Sequence, residues 1–313
     1  MIKKISNIVF TRNRPLQLEA YLQSSVRHLP EEVIQTYILY KQDLFDEEYI
    51  ELFRRMPHCV VIREENFHVD FTNLIMGIET PYVLFGTDDV VYYDSVPFPL
   101  VDTIFSRYPE EIFGFSFRLS PLTAAESADV FREVDIGGEK VYRPDWKEGR
   151  SSISRYPFEL NSTVYRTSLV QEIVSRVTKE RPYLARWFGK DSAFARTLRP
   201  LTSMKDFHRW IETFCNPNTL ESDCYRWCKK HKAMLPGHLF FQKLCASAIQ
   251  VNTVNATTHN PIARTEEHTV EILNEKYREG FRVDLDAIVE NKPKVTHVGP
   301  EYFRLVKYER VNC

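Results

Sequence analysis

Two neighbouring carboxylates, Asp88 and Asp89, follow the apolar run 82–85 after a Gly86-Thr87 step. Adjacent acids repel one another unless a cation or hydrogen-bond donors compensate them. A hard divalent ion that bridges carboxylate and diphosphate oxygens is an economical compensation. In extended chain the two side chains point opposite ways, so one can reach a metal while the other reaches a sugar hydroxyl. The same residues could equally do no more than cap the turn that follows, which aspartate does well. A second loop, Thr11-Arg12-Asn13-Arg14-Pro15, follows the apolar run 5–10. Ligands of open parallel sheets bind beyond the carboxyl ends of the strands, so both loops are expected at one edge.

Composition narrows the chemistry. The 313 residues carry 41 Lys and Arg against 43 Asp and Glu, with 43% hydrophobic and 27% charged residues. Those proportions are globular, and the balanced charge argues against a dedicated nucleic-acid binder, which shows a strongly basic face. The first of only ten glycines is Gly77. The loop after the first strand therefore lacks the glycines with which Rossmann and P-loop folds close backbone around phosphate. Six cysteines lack the spacing of a disulfide framework. Cys224, Cys228 and His231 share a helical face, a spacing that zinc ligation and core packing both produce; reduced core thiols are the expectation. No apolar run reaches the ~18 residues of a spanning helix, and the first residues do not read as a signal peptide. A cytoplasmic protein without a transmembrane segment is expected, with peripheral membrane contact left open.

The elements that must position these loops alternate. Strands are expected at 5–10, 36–40, 59–62, 82–85 and 112–117, and helices at 15–28, 45–56, 71–78 and 97–107. Pro15 suits a first helical turn, and Leu16, Leu18, Leu22 and Val26 form the stripe expected to be buried. Strands separated by such helices imply right-handed crossovers and a mostly parallel sheet. Residues 119–157 show no clear periodicity and read as loops and short strands, where a binding loop or lid would lie. A strand at 158–165, helices at 168–177, 203–213, 219–231 and 270–278, and an extended tail at 302–308 complete the pattern.

Thr11-Arg12-Asn13-Arg14-Pro15, the run Tyr82 to Val90 that ends in Asp88-Asp89, and the stretch from Asn73 between them resemble, in order and spacing, the nucleotide-sugar glycosyltransferases of the GT-A type, especially the family-two-like group. The match is clearest over 1–118, and departs from it at Thr87, where many members have a first Asp. The resemblance implies an α/β, GT-A-like Rossmann-type sheet flanked by helices, with a helical and loop-rich acceptor half. It divides the chain into a nucleotide-sugar-binding half (1–118), an acceptor-binding half of the same domain (119–265) and a C-terminal helix and tail (266–313). It implies Asp89 as ligand of a divalent metal, Mn2+ or Mg2+, and Asp88 as a contact to ribose or to metal-bound water. Thr11, Asn13, Arg14 and Asn73 would bind the nucleotide. Several GT-A families complete the metal shell with a late histidine, for which His259 is the candidate.

The implied activity moves a sugar from a nucleotide-diphosphate donor such as a UDP-sugar to a carbohydrate or glycolipid acceptor, with inversion, in bacterial-type polysaccharide or glycoconjugate synthesis. Such a transfer needs a base near the acceptor hydroxyl. Asp191, in an aromatic loop, is one candidate and could instead cap the helix that follows. Glu221 is another, and its spacing from Asn218 is also that of a capping box; Asp223 reads as a first-turn helix acid. Trp146, Trp187, Trp210 and Trp227 could stack on sugars or fill the core. The competing readings are a non-catalytic nucleotide- or carbohydrate-binding protein on the same fold, a zinc-stabilised interaction protein and a sugar-phosphate nucleotidyltransferase.

Overall fold

The computed structural model describes residues 3–125, 131–136, 138–144, 146–147, 156–180, 214–235, 237–254 and 266–308. Its first part runs β1 (Ile5–Arg12), α1 (Pro15–His28), β2 (Ile34–Lys41), α2 (Asp46–Arg55), β3 (Val60–Arg63), α3 (Phe67–Gly77) and β4 (Tyr82–Thr87). A short β5 (Val90–Tyr92) follows, then α4 (Phe98–Arg107), β6 (Ile112–Ser116) and α5 (Pro121–Ala125). The middle holds β7 (Phe131–Ile136), β8 (Glu139–Pro144), β9 (Thr163–Arg166) and α6 (Thr167–Glu180). After 181–213 come α7 (Pro217–Lys230), β10 (Gly237–Phe241) and β11 (Ala246–Ile249). The last part is α8 (Val270–Arg278), β12 (Phe281–Val283), α9 (Leu285–Glu290), β13 (His297–Val298) and β14 (Leu305–Lys307).

Nine strands form one sheet in the order β3-β2-β1-β4-β9-β6-β10-β8-β7. The first four are mutually parallel, β9 runs against them, and β6 and β10 resume their direction. The expected α/β class with a mostly parallel, helix-flanked sheet is what forms. Register aligns the carboxyl ends: Phe10 lies opposite Leu39 on one side and Thr87 on the other. The loops after β1 and β4 therefore open at one edge.

Local sequence explains most boundaries. Pro15 starts α1, and Leu16, Leu18 and Leu22 are buried, whereas Val26 is 44% exposed and leaves the expected stripe. α3 begins four residues before the expected start because Asn66 accepts a hydrogen bond from the Val69 N–H and caps it. β7 and β8 pair antiparallel, in a stretch whose sequence shows no periodicity. Apolar clusters cover both faces of the sheet, one built with α1 and α4 and the other with α3, α6 and α7.

Two small sheets lie beside the large one. β5 pairs with β11, and β11 pairs with β13, so three distant stretches meet directly after Asp89. The C-terminal part is tied back to the first helices: Arg282 pairs with Glu19 at 2.8 Å, and Asn274 donates to Glu48 at 3.1 Å. Among the described residues no helix is long and apolar enough to cross a membrane.

Candidate active site

A cleft of about 390 Å³ opens at the carboxyl ends of β1, β2 and β4. Arg12, Arg14, Asp89, Asn161, Glu221, Gln250 and His297 are among the side chains that line it. They come from the β1 loop, the β4–β5 turn, the segment before β9, α7, the end of β11 and β13.

Asp88 lines the cleft but has an internal job. Arg14 Nη1 donates to its Oδ1 at 2.9 Å, Thr11 Oγ1 to its Oδ2 at 2.8 Å and the Arg12 N–H to the same oxygen at 3.4 Å. Burial pushes this carboxyl above its usual range, and Arg14 opposes the shift. With both oxygens engaged, Asp88 ties the β1 loop to the β4 turn. Thr11 and Arg14 line the same cleft from that network. Asn13 does not: at φ 53° its side-chain oxygen accepts the N–H groups of Asp43 and Leu44, so it shapes the β2–α2 loop. Asn73 sits on the exposed side of α3 and is not part of the cleft wall, because the inward positions of that helix are taken by Phe71 and Ile75.

Asp89 differs from its neighbour. Its side chain is 21% exposed, with Oδ2 4.0 Å from Arg14 Nη1. Thr87 Oγ1 donates to its Oδ1 at 2.7 Å, and its backbone carbonyl accepts from the Ile249 N–H at 2.7 Å. The turn is thereby clamped by β11 while one carboxylate oxygen is left towards the cleft.

Glu221 lies in the second turn of α7. The cap of that helix is Asn216, which exchanges hydrogen bonds with Thr219 in a capping box, so Glu221 takes no part in one. Its Oε1 accepts the Leu160 N–H at 3.1 Å. Burial raises its pKa to about 7; nearby Glu159 adds to the rise, while the Leu160 N–H and Arg118 oppose it. Behind it Arg118 and Glu159 form a buried ion pair, and Thr163 also donates to Glu159. Against the effect of burial, Arg118 and Thr163 hold the Glu159 carboxyl below its usual range.

The second Arg118 arm reaches His297 Nε2 at 2.9 Å. A guanidinium only donates, so Nε2 accepts and Nδ1–H faces Thr296 Oγ1 at 3.0 Å. His297 was not foreseen from sequence. It lies in a two-residue strand, which leaves no periodic signal, and its place beside the cleft depends on β11.

The other candidates fall elsewhere. Asp191 and His259, like Trp187 and Trp210, lie outside the described residues. Asp223 is buried, 3.5 Å from Arg226, and does not line the cleft. Trp146 and Trp227 are buried in the apolar layer, as are Cys224 and Cys228. Among the described residues no group of three or more His, Cys, Asp or Glu side chains could hold a metal by itself. The donor set fits a hard ion held by Asp89 together with oxygens of a bound ligand and water, the mode Mg2+ favours.

No protein-family model matches the chain. Over 194 residues it is 23% identical to the bifunctional glycosyltransferase pgtA of Dictyostelium discoideum, a match covering 55% of this chain and 25% of that protein. The chain thus spans about a quarter of the length of the curated relative it matches. Among solved structures, S. aureus TarS residues 1–349 in complex with UDP overlaps at a TM-score of 0.38 and 16% identity, covering 58% of this chain and 55% of that one. A mannosyltransferase of Pyrobaculum calidifontis in complex with GDP-Man and Mn2+ overlaps at 0.30 and 10%, covering 39% and 37%. The resemblance to glycosyltransferases carried by the two loops is borne out by the match to a curated glycosyltransferase.

Proposed function

We propose that this protein is a glycosyltransferase that takes a sugar from a nucleotide-diphosphate donor and passes it, with inversion, to a hydroxyl of a carbohydrate or glycolipid acceptor. One observation carries the reading. A single cleft at the ends of parallel strands joins an open carboxylate, Asp89, to a second acid, Glu221, whose proton leaves near neutral pH.

The acceptor oxygen attacks the anomeric carbon, its proton passes to Glu221, and the bond to the diphosphate breaks with its electron pair going to the phosphate oxygen. A base is most effective when its pKa lies near the working pH, which suits Glu221. Asp191 is the other candidate for this role. A divalent cation held by Asp89 and the diphosphate, Mn2+ or Mg2+, would neutralise the charge that grows on the leaving group. Asp88 keeps Arg14, a second positive charge, at the same end of the cleft. Pre-set charges of this kind stabilise a developing anion without reorganisation.

The test is calorimetric titration of UDP and GDP into the protein with and without Mn2+, followed by release of nucleoside diphosphate from the corresponding sugar donors. Metal-dependent binding with turnover supports the proposal. Binding without any turnover would leave only a nucleotide-binding protein, and no binding at all would remove the reading.

A further inference from the structure

A second hollow, of about 540 Å³, opens against the segment that follows α9. It is a shallow feature, open to solvent and lined by the single stretch 294–302. His297 lines both this hollow and the cleft, so the two share that residue as a wall. Ala248 pairs with Val90 on one side and with His297 on the other, which sets His297 two strands from the residue after Asp89. Arg118 holds His297 and stands next to Glu221. A molecule seated in the hollow touches His297, which also borders the cleft that holds Asp89 and Glu221.

The lining has the chemistry of a site for a neutral, hydroxyl-rich ring. Val298, Pro300 and the half-buried Tyr302 supply an apolar floor. Aromatic and apolar surface suits the C–H face of a pyranose, with a few polar groups fixing its orientation. Those groups stand at the rim. Glu301 Oε1 accepts the Gly299 N–H at 3.0 Å, which restrains the carboxylate, and exposed Lys294 offers donors. One acid and one base select neither a polyanion nor a polycation.

We propose that this hollow is the acceptor subsite, and that it takes a carbohydrate whose attacking hydroxyl passes His297 into the cleft. The proposal rests on the reading of the cleft as the donor site. It moves acceptor binding from the middle of the chain, where the sequence resemblance puts it, to residues 294–302.

Saturation-transfer NMR with p-nitrophenyl β-glycosides of glucose, galactose and N-acetylglucosamine, in the presence of UDP and Mn2+, tests it. At least one glycoside is expected to bind, Tyr302→Ala to weaken it about tenfold or more, and Tyr302→Phe to restore it. UDP affinity, measured by calorimetry, stays within twofold in all three proteins. Glu301→Gln, a rim change that leaves the floor intact, is expected to weaken the glycoside severalfold and guards against a Tyr302→Ala chain that does not fold. Equal glycoside binding by wild type, Tyr302→Ala and Glu301→Gln would overturn the proposal, as would no glycoside binding while UDP binds. Failure of both UDP and GDP to bind would instead bring down the donor-site reading, and this proposal with it.

Discussion

On the β1–β4 side of the cleft Arg14 and Asp88 are 9% and 5% exposed; on the opposite side Arg118 and Glu159 show the same burial. The Arg14 pair ties the loop after β1 to the turn after β4 and leaves the adjoining acid, Asp89, open to the cleft. The Arg118 pair ties the end of β6 to the segment before β9 and stands next to Glu221, which lines the cleft half-buried and whose pKa desolvation raises to about 7. One side keeps an anion for a cation to meet, and the other keeps a group that can exchange a proton. A buried arginine–carboxylate pair thus serves as a mount on each side, and the groups around the neighbouring half-buried acid set its chemistry.

Replacing the acid on each side should break this comparison most sharply. Asp89→Ala is expected to abolish metal-dependent binding of a nucleoside diphosphate in calorimetry and to lower turnover by about 10³-fold, the scale of several kcal/mol that a metal contributes to charge stabilisation. Its melting temperature should hardly change, since the side chain is partly exposed. Undiminished binding would show that the two sides do not divide the work in this way.

Glu221→Gln should lower turnover by about 10²-fold or more while leaving donor affinity intact. A base acts only when ionised, so wild-type kcat/KM should rise tenfold per pH unit below about 7 and level off above it; the variant should lose that limb. Stability gives the complementary sign. A carboxyl raised in the folded state contributes stability below its unfolded pKa of about 4.3, and that contribution is lost as pH rises through about 7. Urea titrations across this window should show a shallower decline in Glu221→Gln. A limb that persists in the variant would point to Asp191 as the base.

Arg14→Met and Arg118→Met sharpen the comparison further. Each leaves a buried carboxylate uncompensated, at about 3–5 kcal/mol, readable as a lower urea midpoint. Their effects on activity should part: the first weakens donor binding, and the second moves the pH limb upward, because Arg118 favours the ionised form of Glu221. The smallest expected effect is that of Asn216→Ala, a lost helix cap worth about 1 kcal/mol, which loosens the start of the helix that carries Glu221.

The two sides also differ in how far they can be read from sequence. α1 from Pro15 to His28, the parallel strands and the two adjoining loops were visible because caps and hydrophobic periodicity act over a few residues. The start of α3 differs from the expectation because the Asn66 side chain caps it. On the other side the signals are short or absent: β11 has four residues and β13 two, and neither makes a pattern without its partner. Glu221 carried an ambiguous spacing, and only the cap at Asn216 frees it from the helix terminus. The motif does not show that the side-chain oxygens of Asp88 and Asn13 accept hydrogen bonds from the chain itself.

Sequence alone determined the alternation of strand and helix, the parallel edge and the pair of loops that open there, since each follows from interactions between residues close along the chain. Tertiary structure decided which aspartate stays open, why the Glu221 pKa is raised towards neutrality, and that His297 borders two hollows. Those properties depend on burial, on partners as far apart as Asp89 and Ile249, and on short strands that exist only when three distant segments pair.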